Sequence, residues 1–234
     1  MLKAKAGRLP VWRAVSRGLR VLRIEQWARW LIPLAGLCTL AGYFGPWVDH
    51  RVAGLVITGL DLGEYVKFLP AVRAGSLSVW REGFYLPLVA VSFSQSFFAF
   101  RTTFQYPWPV RAGMLTVAIV AALNLLPPAW TPARLATPEF YAQSVALLLT
   151  LVAVALSPWL ALLPGQLAGS LCFLLCGLAI WFPPRSFLAV LPGIAVLYNH
   201  PLQPGWGPYM MVFGLVVLGL STGLAGWLER KKSP

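Results

Sequence analysis

Six windows of this chain, at residues 29–48, 84–100, 110–126, 142–163, 167–182 and 209–228, run almost without charge. A helix or strand at a water boundary needs polar positions recurring along one face, and these windows lack them. Composition agrees: 58% of the 234 residues are hydrophobic and 11% are charged, where a soluble domain carries about a quarter charged. In hydrocarbon each backbone amide must bond within its own segment, so the windows are predicted to be helices. No alternating pattern of about ten residues suggests barrel strands. The predicted fold class is therefore all-α, a polytopic integral membrane helical bundle of about six transmembrane helices with interfacial amphipathic helices added.

Tryptophan gives an independent check, because its amphipathic ring favours the headgroup level. Trp30, Trp47, Trp80, Trp108, Trp130, Trp159, Trp181, Trp206 and Trp227 all fall near the ends of these windows. The apolar run 187–198 is short, reaching about 18 Å against a core of ~30 Å. Pro192 interrupts it, and Pro183, Pro184, Pro201, Pro204 and Pro208 surround it. Residues 183–208 are accordingly predicted to be a Pro-rich outer connection, and a seventh span over 187–198 is the competing count.

Lysine and arginine are retained on the cytoplasmic side of short loops. The arm at residues 1–28 with Arg29, the loop holding Arg101 and Arg111, and the tail at 229–234 collect thirteen basic residues against Glu25 and Glu229. The other face carries Arg51, Lys67, Arg73, Arg81, Arg134 and Arg185 against Asp49, Asp61, Glu64, Glu82 and Glu139. This asymmetry predicts a multi-pass protein of the cell membrane with both termini cytoplasmic. It also explains why a chain of net charge +12 gathers acids at Thr58–Glu64: that stretch is on the translocated side.

Within the outer loop, 49–83, Thr58 and Asp61 stand in capping-box spacing and Glu64 precedes Lys67 by three. A short amphipathic helix is predicted there, ended or kinked by Pro70. Residues 11–30 place Trp12, Val15, Leu19 and Leu22 near one face and Arg13, Arg17, Arg20 and Arg23 on the other. That pattern fits a helix lying on an anionic cytoplasmic leaflet. Topology accounts for these arginines, and no nucleic-acid partner is expected.

Small residues spaced by four mark close helix contacts in lipid: Gly165 and Gly169, Gly219 and Gly223, Ser92 and Ser96, Cys38 and Gly42. Whether they join helices of one subunit or of several is open. Cys172 and Cys176, also four apart, read as packing. Ser92, Ser94, Gln95 and Ser96 form the tightest polar cluster inside a window.

No ionisable residue lies at the middle of a window, where ion and proton carriers hold theirs. Phosphate-loop, zinc-protease and nucleophile-elbow motifs are missing, and no cofactor is expected. One speculative metal or acid–base cluster could form on the outer face from Asp49, His50, Asp61, Glu64 and His200. By elimination the chain reads as a non-catalytic integral-membrane subunit, scaffold or accessory, of a larger complex, with other membrane protein subunits as partners. The alternatives are a permease-like component that moves an apolar or amphipathic solute such as a lipid, driven by a separate energising subunit, and a membrane-embedded enzyme using the outer-face His and acids.

Overall fold

The computed structural model describes residues 29–50, 55–127 and 130–230, with the backbone alone at Asp49, His50 and Leu55. The basic arm with Arg13, Arg17, Arg20 and Arg23 lies outside the described residues, as does the tail beyond Arg230. Helix accounts for 75% of the structure. Helix α1 covers 29–44. A hairpin of β1 (Val48–His50) and β2 (Leu55–Ile57), α2 (Gly59–Tyr65), a 3-10 turn (Val66–Phe68), α3 (Pro70–Arg73) and a second 3-10 turn (Arg81–Tyr85) follow. Then come α4 (Leu86–Phe98), α5 (Trp108–Leu123), α6 (Pro132–Leu135), α7 (Tyr141–Ala155), α8 (Ser157–Leu160), α9 (Gly165–Leu197) and α10 (Gly207–Arg230).

Helix α4 is the hub. It packs against α5, α7, α9 and α10, and within it Leu86, Val89 and Phe93 alone are partly exposed. Around it the apolar side chains turn outward. Helices α9 and α10, of 33 and 24 residues, are long and apolar enough to cross a membrane. In their most apolar windows 33% and 56% of residues are buried. Leu167, Leu174 and Trp181 of α9 and Phe213, Leu220 and Trp227 of α10 are all exposed.

Helix ends alternate between two sides. On one, the Arg29 guanidinium donates to the Gln105 carbonyl at 3.1 Å, the Tyr106 hydroxyl donates to the Arg29 carbonyl, and Arg101 reaches Leu163 and Glu229. On the other, the amides of Gly205 and Gly207 donate to Trp47 and Pro46 at 2.8 and 2.9 Å. There too, Gln143 donates to the Leu125 carbonyl at 2.6 Å.

Several elements differ from the sequence reading. Helices α4, α5 and α7 fall short of the windows 84–100, 110–126 and 142–163, and α5 and α7 are apolar but below spanning length as drawn. The third of these windows breaks at Leu156, because Pro158 has no amide for the Val154 carbonyl and the chain restarts as α8. The two-stranded antiparallel hairpin, pairing Val48 with Ile57 and Asp49 with Val56, is strand that an all-α expectation omitted. Pro70 opens α3 instead of ending a helix, since the first turn needs no amide there.

The largest difference is α9, which continues past 182 through Pro183, Pro184 and Pro192, where a Pro-rich connection was predicted. Its 33 residues extend about 50 Å. Each interior proline costs roughly 3 kcal/mol in an isolated helix. Here Phe187, Val190 and Ile194, spaced as one helical stripe, are fully buried. Phe187 also meets the Trp47 ring edge-on at 5.3 Å. That packing holds the helical course. Trp47 itself is buried, with Nε1 on the Gly42 carbonyl at 3.3 Å, not at a boundary as the end-of-window pattern suggested. The other window-end tryptophans are all exposed.

Helices α9 and α10 approach through small residues. A Cβ on Gly169 would sit 2.7 Å from the Thr222 carbonyl oxygen, and one on Gly226 would sit 2.5 Å from the Gly165 oxygen. Gly219 and Gly223 meet Cys176 and Phe173 at 3.1 and 3.4 Å, which is looser. Gly42 abuts the α10 backbone at Met211. Gly177, by contrast, has nothing within 4 Å of a Cβ. Gly226→Val is therefore expected to force backbones apart at a cost of about 1–3 kcal/mol, while Gly177→Ala is neutral or stabilising by up to ~1 kcal/mol. Thermal midpoints of the two variants in one detergent check this ordering.

Candidate functional site

Four of the seven acidic residues, Asp61, Glu64, Glu82 and Glu139, meet on the side of the hairpin and α2. Local chemistry positions them. Thr58 accepts from the Asp61 amide at 3.3 Å while Asp61 Oδ2 accepts from the Thr58 amide at 2.9 Å, a reciprocal cap that starts α2. Gly63 leaves room for the Tyr85 ring, whose hydroxyl a Cβ would meet at 2.8 Å. One turn along, Glu64 Oε1 accepts from the Tyr85 hydroxyl at 3.1 Å, and Oε2 accepts from Lys67 at 2.6 Å.

Lys67 joins this helix to α7. Its ammonium also donates to Glu139 Oε1 at 3.1 Å. Arg81 donates to the Glu139 carbonyl oxygen at 2.6 Å and lies 3.4 Å from its carboxylate. Both cations stand over the Phe140 ring, at 5.6 and 5.3 Å. The hydrogen bond from Lys67, aided by the charges of Lys67 and Arg81, holds the Glu139 carboxyl below its usual range. Partial burial works against the Lys67 charge, but its bonds to Glu64 and Glu139 outweigh that and raise its pKa.

Of the predicted five-residue cluster, Asp61, Glu64 and His200 have described side chains. Among the described residues no group of three His, Cys, Asp or Glu side chains could hold an ion. His200 Nδ1 lies 2.9 Å from the neighbouring Pro201 carbonyl, and the side chains of Asp49 and His50 are outside the description. Asp61 and Glu64 do share a cavity between α2 and the end of α5. In the interior polar cluster Gln95 donates to the Ile32 carbonyl of α1 at 3.0 Å and Ser96 donates back within α4 to the Ser92 carbonyl at 2.8 Å. The buried Ser92 and Ser94 hydroxyls and Gln95 Oε1 make no hydrogen bond among the described residues. Gly36 makes the first of these possible, since a Cβ there would meet Gln95 Nε2 at 2.1 Å. Ser94 lies beside the thiols of Cys172 and Cys176.

On the opposite side an ion pair went unforeseen. Arg101, with its side chain 4% exposed, bonds Glu229 Oε2 at 2.6 Å and the Leu163 carbonyl at 3.0 Å. Thr103 donates to the second oxygen at 2.8 Å. Gly165 leaves the space that the Glu229 carboxylate fills, 1.7 Å from where a Cβ would be. The signal available in the sequence was one acid and one base at window ends on the same predicted side. Glu229 belongs to the last turn of α10, not to a separate tail.

Comparison of the chain with protein-family models, with curated proteins and with solved structures finds no match.

Removing one partner of a buried pair leaves the other charge unpaired, so Arg101→Met is expected to lose about 3–5 kcal/mol. The double variant Arg101→Met/Glu229→Leu should recover much of this, as read by thermal midpoints. Glu139 has a depressed folded pKa. Its contribution is therefore present above the unfolded value, near 4.5, and lost as pH falls through the folded one. Amide exchange in α2 and at the start of α7 should rise together across that acidic window, and Glu139→Gln should remove the step.

Proposed function

We propose that this chain is a non-catalytic, multi-pass membrane subunit that scaffolds partners in a larger membrane complex. The observation that carries this reading is the outward apolar surface of α9 and α10, together with helix ends that alternate between two polar faces. Lipid is the solvent that suits such a surface, because a water-facing one of this extent would drive aggregation.

Six helices alternating in direction return the chain to its starting side, in keeping with basic residues near both ends and both termini in the cytoplasm. Helix α9 then crosses the bilayer with its first part. Its continuation beyond Pro183 and Pro184 stands in the outer cap, where Val190 and Ile194 are buried. The scaffold reading draws support from how interior polar side chains are used. Gln95, Ser96, Thr150 and Thr222 are engaged in helix–helix or intrahelical bonds, which suits a packed body better than a solute path.

Two measurements test it. Single cysteines at each end, labelled in intact cells before and after permeabilisation, should both react only after permeabilisation. Purification in several mild detergents should bring the same membrane proteins with the tagged chain each time. Ends facing opposite compartments would overturn the topology, and a monomer alone in every detergent would overturn the subunit role.

A further inference from the structure

The cavity between α2 and the end of α5 has a volume of about 420 Å³, within the range of roughly 300–1,000 Å³ typical of small-molecule sites. Its wall is mostly aliphatic and aromatic, with Leu60, Phe68 and Leu123 among its lining residues, and Asp61 and Glu64 as its charged groups. Among the described residues no lysine or arginine lines it.

The charged chemistry of the wall is one-sided, its neutral polar groups being the Tyr65 and Tyr85 hydroxyls and the Asn124 amide. An ionised carboxylate only accepts hydrogen bonds, up to about four of them. Glu64 receives one on each oxygen, from Tyr85 and Lys67. Asp61 uses Oδ2 for the helix cap, taking both the amide and the hydroxyl of Thr58 there. Both carboxylates thus keep acceptor capacity. A ligand that complements this wall has a positively charged donor at one end and an apolar body at the other. An anionic head would meet the uncompensated charge of Asp61, the Glu64 charge being paired with Lys67. A bare divalent cation would need about six or more oxygen ligands, and two carboxylates on an apolar wall do not supply them.

The geometry points to a binding site for an amphiphile bearing a protonated amine, its ammonium on Glu64 and Asp61 and its chain along Leu60, Phe68 and Leu123. Phe68 and Leu123, 63% and 46% exposed, stand where a chain would enter. An alkylamine and the ethanolamine headgroup of a phospholipid present the same ammonium. This site belongs to the isolated chain and does not depend on the scaffold role, so it is measured without partners.

The test uses the full chain in dodecyl maltoside at neutral pH with a spin-labelled dodecylamine. Saturable immobilisation of the probe is expected, reversed by dodecylamine and not by dodecanol or dodecyl sulfate. Glu64→Gln, isosteric but uncharged and left with one acceptor oxygen where Tyr85 and Lys67 now use two, should weaken binding at least tenfold, with helical circular dichroism confirming the fold. Leu123→Trp, at an exposed position, should block the cavity without disturbing the fold, with helical circular dichroism as the control. Displacement by phosphatidylethanolamine and not by phosphatidylglycerol would assign the site to a lipid headgroup, and displacement by neither would assign it to a free amine. Equal displacement by dodecanol, or wild-type binding in both variants, would overturn the site.

Discussion

Polar atoms on a chain with an apolar exterior have few places to go, and this requirement organises the molecule. Within the long helices, hydroxyls bond back to their own turns: Thr39 to Ala35 at 2.8 Å, Thr150 to Ala146 at 2.9 Å and Thr222 to Leu218 at 2.9 Å. Side-chain amides reach across instead, Gln95 to α1 and Gln143 to the end of α5. Such bonds satisfy groups that would otherwise be costly to bury. They also fix the rotation of α4 at the centre, so that its serines face neighbours and not the outer surface.

Charges are left to the two ends, which are built differently. At one end Arg101 and Glu229 form a buried pair tied to Thr103 and the Leu163 carbonyl, joining the start of α9 to the finish of α10. At the other, Lys67, Arg81, Glu64 and Glu139 form a more open network stacked on Phe140. Water screens the second far more than the first. The buried end therefore sets the register of the hairpin of long helices, while the open end is the part that responds to pH and, through the shared Glu64, to a ligand in the adjoining cavity.

Helix α9 links these ends. Glycines at its start let α10 come within backbone contact, and its later prolines would break an isolated helix. A stripe of Phe187, Val190 and Ile194 against the cap keeps it continuous. Cap and bundle consequently share one element.

The apolar windows, the helical class, the Thr58–Asp61 cap and the Glu64–Lys67 pair were all legible in the sequence, because periodicity, composition and bonds within one turn are local properties. Small-residue spacing likewise marked Gly165 and Gly169 as contact positions. It did not show that Gly226 would oppose them. The course of α9 through three prolines, the burial of Trp47, the hairpin at Val48–Ile57 and the Arg101–Glu229 pair were decided by tertiary structure. All but the hairpin, whose strands pair locally and bridge to a distant residue at Val48–Pro204, depend on a partner far along the chain, and a local penalty is outweighed when distant side chains bury the segment that bears it.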